Sequence, residues 1–488
     1  MKRLTILLVL CMMLLSCGRE VAIEGTFGAD PEIFPDYSGV TIPCNIAPLD
    51  FSYVGEGESR LLVEGAFGKR WLKARKGLYS FGIRSWRKLL YASKDSDITL
   101  TVVARKDGKW LSFNPFTISV SADKIDPYLS FRLIPPGYQG WYEMGIYQRN
   151  LETYSQEAIY RNVLTQRNCV NCHSFLGRDP GNMLFHARAI FPGTVMIRDG
   201  KITKLNTKTD STVSALVYPY WHPSGDYVAF SVNATHQSFF NHDPNRIEVF
   251  DAESDVVVLD TRTNQIKYSP LTKSKEAFET FPTFSPDGRT LYFCSAEAVS
   301  PMPKEYADAK YSLCRIGFDP ETFTFGGDVD TLYSAPLNGK SVSFPRISPD
   351  GRMLVFTLAS YGNFSIWHKD ADLWAADLAT GEILPLDGVN SDDVESYHSW
   401  SGNSRWLVFS SRRMDGLYTR PYIAYVGEDG RPGKPFLLPQ KDPLKYYSDL
   451  MVSYNIPEFV SGKVKVEKHA VSSALRDSVS IKVTVKPE

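Results

Sequence analysis

Cysteine and histidine are scarce in this chain: 488 residues contain seven of the first and eight of the second. Each can therefore be placed individually, and a short segment that uses three of them together stands out. An excess charge of one sign is also missing. Fifty-four Lys and Arg against 55 Asp and Glu leave a net charge of -1, so no general field draws the chain to nucleic acid or to an anionic membrane surface. After the first fifteen residues no apolar run is long enough to cross a bilayer. No P-loop, His-Glu-x-x-His or Gly-x-Ser-x-Gly segment occurs, nor a Ser-x-x-Lys pair in a convincing setting. Aromatic residues are plentiful, with 26 Tyr, 28 Phe and 9 Trp. At this length they suit two or more β-rich domains with ample core.

The segment that uses the scarce residues is Cys169-Val170-Asn171-Cys172-His173. Cys-x-x-Cys-His is the pattern of covalent haem attachment in c-type cytochromes. Two thiols at this spacing on a turn can each form a thioether to one porphyrin, and the adjacent imidazole then serves as proximal iron ligand. A structural zinc would need a second Cys/His pair, and His186 is the sole close candidate. A dithiol redox motif would sit in a βαβ setting that the flanks do not suggest. The resemblance implies one haem c on Cys169 and Cys172 with His173 on the iron. It leaves the sixth iron position open. Met183 and His186 are the nearest candidates and His222 a weaker one. His222 and His398 also occupy turn positions of a repeat, and His236, His242, His368 and His469 have no distinguishing context.

The N-terminus fits that chemistry. Met1-Lys2-Arg3 precedes an apolar run from Leu4 to Leu15, too short for a mature membrane helix, and the run ends in Leu14-Leu15-Ser16-Cys17. This resembles the lipobox of bacterial lipoproteins, which implies cleavage before Cys17, lipidation of its sulfur and anchoring by acyl chains. Haem is attached outside the bacterial cytoplasm, so an export signal is what the pentapeptide requires. The expected location is the cell envelope, at the outer membrane facing the periplasm. Cys44, Cys294 and Cys314 remain. The last two lie in strand-like runs and could pair in an oxidising compartment, although free buried thiols are the favoured reading.

Four segments share one pattern. Tyr218-Pro219-Tyr220-Trp221-His222-Pro223-Ser224-Gly225, Phe281-Pro282-Thr283-Phe284-Ser285-Pro286-Asp287-Gly288 and Phe344-Pro345-Arg346-Ile347-Ser348-Pro349-Asp350-Gly351 each precede a second apolar run. Tyr397-His398-Ser399-Trp400-Ser401-Gly402-Asn403-Ser404 is a divergent fourth copy. Proline presets φ and glycine accepts positive φ, so each reads as a hairpin, and Asp226, Asp287 and Asp350 read as turn-formers. Recurrence of such units is the mark of a β-propeller. The Ser-Pro-Asp-Gly hairpins resemble TolB-type six-bladed propellers over roughly residues 185–440. The expected propeller spans 191–460 with insertions near 239–245 and 298–309. Five blades are expected, with six as the alternative, and a hairpin of 193–197 with 201–205 would be completed by 450–454.

Ahead of the haem segment, runs at 98–103, 110–113, 116–120 and 129–133 alternate with period two, which predicts a small β-sandwich over 22–136. Thr153 with Gln156 resembles a capping box, so the haem segment (150–190) is expected as a short helical linker through Ala158, Ile159, Val163 and Leu164. The tail from 461 to 488 reads as polar strands or an extended segment. Three functions follow: an electron carrier whose propeller face docks a redox or protein partner, a TolB-like interaction module with structural haem, and a haem-dependent periplasmic oxidoreductase. The carrier is the first expectation.

Overall fold

The computed structural model describes residues 20–137 and 142–486; the lipobox and Cys17 lie outside the described residues. The chain is mainly β and divides into two compact units. Among the described residues no helix is long and apolar enough to cross a membrane.

The first unit takes in the chain up to Ile125, Leu151–Tyr154 and Gly433–Leu450. Its main sheet has seven strands, centred on Ser96–Lys106. Ile98, Leu100 and Val102 of that strand are buried at alternate positions, as one covered sheet face requires. The strand returns through Asp107 (φ 51°) and Gly108 (φ 82°), both left-handed as a two-residue hairpin needs. A three-stranded sheet of Ile33–Phe34, Phe51–Tyr53 and Leu78–Tyr79 accompanies it. The helix Ile83–Ala92 buries Trp86, Leu89 and Leu90 along one stripe. This unit departs from the expected 22–136 domain: the strand Tyr128–Ile134 belongs to the second unit, and Leu151–Tyr154 and Gly433–Leu450 are added.

Among the described residues the second unit contributes to six mainly antiparallel sheets. Five begin at the strands Cys169–Phe175, Leu216–Trp221, Ala277–Phe284, Ser341–Ile347 and Glu395–Trp400. The sixth joins Ser453–Val460 to Tyr128–Ile134, Gly145–Asn150 and Gln156–Arg161. The first strand of each sheet lies beside that of the next, and Ser453–Val460 lies beside Cys169–Phe175. This is a propeller-like arrangement.

The hairpin turns are built as their residue types dictate. Ser285 Oγ donates to Asp287 Oδ1 and accepts from Thr290 N at 3.0 Å, with Gly288 at φ 72°. Ser348, Asp350 and Gly351 repeat this, and Ser401, Asn403 and Ser404 (φ 59°) substitute for it in the divergent copy. These bonds occupy Asp287 and Asp350 as turn-formers.

Three expectations are corrected. Residues 156–161 form a strand rather than a helix, followed by a single tight turn at Asn162–Thr165. The backbone pairing of Gln156–Arg161 with Gly145–Asn150 outweighs a local capping signal. The segment 150–190 is thus built largely of sheet strands and is not a helical linker. Residues 450–454 do not complete the hairpin of 193–197 with 201–205: the strand here, Ser453–Val460, pairs with Tyr128–Ile134. Finally, the tail holds a helix, Lys468–Arg476, which buries Val471 and Leu475. Its two short strands then add in parallel to the outer edges of the first two sheets, with Ile481 opposite Leu205 and Val485 opposite Ile266.

Candidate functional site

The pentapeptide lies on the innermost strand of its sheet, and its backbone repeats a feature of the other five. Cys172 has φ 52° at a break in strand register between Asn171 and Ser174. Tyr218 (49°), Phe281 (50°), Phe344 (52°), Tyr397 (49°) and Ile456 (52°) hold the same place in their strands. Bulky residues in the left-handed region are uncommon, and six in equivalent positions define a structural repeat. The residue that follows is proline in four strands, His398 in one and His173 in the last. Cys172-His173 therefore stands where other sheets carry an aromatic or aliphatic residue and proline.

The aromatic members pack into a plug. Phe281 and Phe344 have ring centroids 4.1 Å apart, Tyr218 and Phe281 4.8 Å, and Phe344 and Tyr397 4.9 Å. Phe364 lies 6.2 Å from both Phe344 and Tyr397. Beside this plug is a cavity of about 300 Å³, walled by Cys172, His173, Tyr220, Trp221, Arg346 and Glu458, among others. Arg178 and His398 also reach it.

His173 is 3 % exposed, and neither ring nitrogen makes a well-formed hydrogen bond, the Ile456 backbone being the polar group that bears on the ring. Its Nε2 stands 4.0 Å from Glu458 Oε2, while the other Glu458 oxygen accepts from Phe175 N at 3.1 Å. Burial lowers His173 to about 3 and pushes Glu458 up to about 8. Near neutral pH both are uncharged. A neutral imidazole with a free lone pair is the form that binds a metal. Burial also raises the Cys172 thiol, against the pull of the Arg188 guanidinium.

Cys169 does not share the cavity wall. It is 4 % exposed and packs in the apolar cluster of Met144, Tyr160, Met183 and Phe185. Met183, fully buried in that cluster, is core filler here. His186 lies on the next strand with Nδ1 3.3 Å from Thr194 Oγ1, and burial holds it at about 3. His222 is engaged at both nitrogens, 2.8 Å from Ser224 Oγ and 3.0 Å from the Gly288 carbonyl. None of these three candidates lines the cavity. Glu458 and Arg346 were not singled out from sequence. The signal for them was the recurrent pair of an aromatic or aliphatic residue with proline, whose next residue lines the cavity in three strands, as Tyr220, Arg346 and Glu458.

Cys44, Cys169, Cys172, Cys294 and Cys314 are free thiols. Cys294 pairs opposite Leu313 and Cys314 opposite Phe293 on adjacent strands. Alternation therefore sends the two sulfurs to opposite sheet faces, where each joins a different apolar cluster.

His398 shows what an imidazole does at the repeat position. Its Nε2 lies 2.8 Å from the Val355 carbonyl, tying two sheets together, and burial lowers it to about 3. The folded state keeps it neutral while the unfolded chain takes up a proton below about pH 6.5. Its contribution is present above that pH and lost as pH falls, by about 1.4 kcal/mol per unit. His398→Pro, the residue of four sister strands, should remove that slope, giving a variant whose stability falls about 2 kcal/mol less between pH 6.5 and 5. Denaturant titrations at the two pH values check this.

No family model matches the chain, and no curated protein does. Solved structures give remote likenesses. Prolyl oligopeptidase B from Galerina marginata is 9 % identical with a TM-score of 0.34, covering 69 % of this chain and 42 % of that one. The chain thus spans under half the length of that enzyme. Dipeptidyl peptidase 4 from Porphyromonas gingivalis is 10 % identical with a TM-score of 0.31, covering 70 % and 58 %. An oligogalacturonate lyase in complex with manganese is 12 % identical with a TM-score of 0.27, covering 79 % and 76 %. At these scores the likenesses carry no argument about activity.

Proposed function

We propose that this is a lipid-anchored envelope protein that holds one covalent haem in the cavity beside His173 and carries electrons. One observation carries the reading: a buried imidazole with no well-formed hydrogen bond at either nitrogen sits next to a cysteine in an aromatic cavity. The six sheets are read as a closed six-bladed propeller, with Ser453–Val460 and Tyr128–Ile134 uniting late and early parts of the chain in one blade. Closure of that kind leaves no long exposed edge.

The residues fit the group in part. Cys172 can add its S–H across a porphyrin vinyl group, the sulfur bonding carbon and the hydrogen going to the neighbouring carbon, without net oxidation. Neutral His173 supplies the iron ligand. Arg178 and Arg346 bring positive charge to the wall, suited to carboxylates of a bound porphyrin. Tyr220, Trp221 and the plug exclude water, which raises the strength of each polar contact inside. A haem bound here would supply one-electron exchange. Cys169 fits less well, since its thiol packs in the core cluster and is no part of the cavity wall. The anchor would be Cys17, and a redox or protein partner would dock at the propeller face.

A second reading has its own observation: Cys172-His173 occupies a repeat position also held by Tyr397-His398. On that reading the pentapeptide is a sixth structural copy and the protein is an interaction module. Absorption spectra of the exported protein, reduced and oxidised, separate the two. The haem reading expects a Soret band and sharp reduced α and β bands, and a spectrum without them sinks it. Carbon monoxide added to the reduced protein then reports the sixth position. A shifted Soret band favours an oxidoreductase over a carrier.

A further inference from the structure

A second cavity, of about 470 Å³, lies over one face of the sheet that begins at Ala277–Phe284. Its floor follows from strand register. Glu279 pairs opposite Ser295, and Ser295 opposite Ser312, so these three side chains form one row across three strands. Thr331 and Cys314 form part of the row beyond.

The polar character of this cavity has one sign. Its ionisable lining side chains other than the thiol are two carboxylates, Glu279 and Glu297, and no Lys, Arg or His reaches the wall. Glu279 is 3 % exposed, and its Oε2 has no hydrogen-bond partner. A buried carboxyl oxygen left without a partner is costly, and here it faces a cavity. Lys273, the cation behind it, is held by Asp255 at 2.6 Å. Apolar surface completes the wall through Phe293, Val329 and Leu271, the last 40 % exposed.

We propose that this cavity binds a primary ammonium group carried on a short apolar chain, with Glu279 as counter-ion and the serine hydroxyls as further acceptors. An ammonium has three donors and no acceptor, which matches a wall of carboxylate and hydroxyl oxygens. The alkyl chain would lie against Leu271 and Val329. The site is independent of the haem reading and stands or falls separately.

Proton linkage gives the site a signature. Burial, with the Asp255 carboxylate nearby, pushes Glu279 up to about 8. The other groups that interact with it are Lys273, which lowers it, the Cys314 thiol, itself raised by burial, and the buried Tyr311 phenol, also raised by burial. Glu297 shares the cavity from the next strand. Below about pH 8 an ammonium must displace the Glu279 proton, so its affinity should rise about tenfold per pH unit from pH 6 to 8 and then level.

Calorimetric titration of the full-length protein with n-propylammonium tests this, with 1-propanol as the uncharged control. The expected result is ammonium binding that strengthens with pH, little binding of propanol, and at least a tenfold loss in Glu279→Gln. Equal affinity for the two probes, a flat pH profile, or unchanged binding by Glu279→Gln would overturn it. The wild-type pH series remains decisive even if the variant misfolds.

Discussion

Cys172→Ser is expected to abolish covalent retention of haem, whereas Cys169→Ser keeps it. The asymmetry follows from where the chain puts the two thiols. Cys172 is in the wall of the cavity that holds His173. Cys169 is packed with Met144, Tyr160 and Phe185 in the apolar core, and bringing its sulfur to a porphyrin would break that packing. Serine is tolerable at the Cys172 backbone, since Ser404 adopts φ 59° elsewhere in the chain. Acid-acetone extraction followed by a stain for haem peroxidase activity reads the outcome. Loss of the stain in both single variants would mean that both sulfurs are needed and that the strand rearranges on haem binding.

Phe344→Ala should cost about 3–5 kcal/mol of stability, the range for removing a buried phenylalanine ring. Phe344 is 4 % exposed at the centre of the plug, and it contacts Phe281, Phe364 and Tyr397. Alanine keeps a Cβ at φ 52°, so the substitution loses ring contacts without relieving the left-handed backbone. The void would form beside the His173 cavity. Differential scanning calorimetry should show the transition that contains the six-sheet unit moving down by several degrees. A loss below about 1 kcal/mol would mean that the plug is loosely packed.

What could be read from sequence was local. The hairpins at Asp107-Gly108, Asp199-Gly200 and Ser285–Gly288 were legible because proline, glycine and Asx or serine side chains fix a turn within four residues. Alternating runs such as 98–103 gave strands for the same reason. The union of Tyr128–Ile134 with Ser453–Val460 was not legible, because no local signal marks a pairing across more than three hundred residues. That one pairing moved 129–133 out of the first unit. The capping pattern at Thr153 and Gln156 misled because helix signals are weak beside a ready strand partner. The helix Ile83–Ala92 was missed although Trp86, Leu89 and Leu90 follow helical spacing. At the candidate site, Cys172 and His173 stand out in the sequence through their chemistry alone. Glu458 and Arg346 are marked by the shared left-handed backbone of the residue two before each, Ile456 and Phe344.

The haem reading meets its most direct test in the denatured intact mass of the exported protein, made in a host competent in cytochrome maturation. The account predicts a species heavier than the lipidated polypeptide by one haem, with the addition located by peptide mapping to the fragment carrying Cys172. A mass equal to the lipidated polypeptide alone would contradict it.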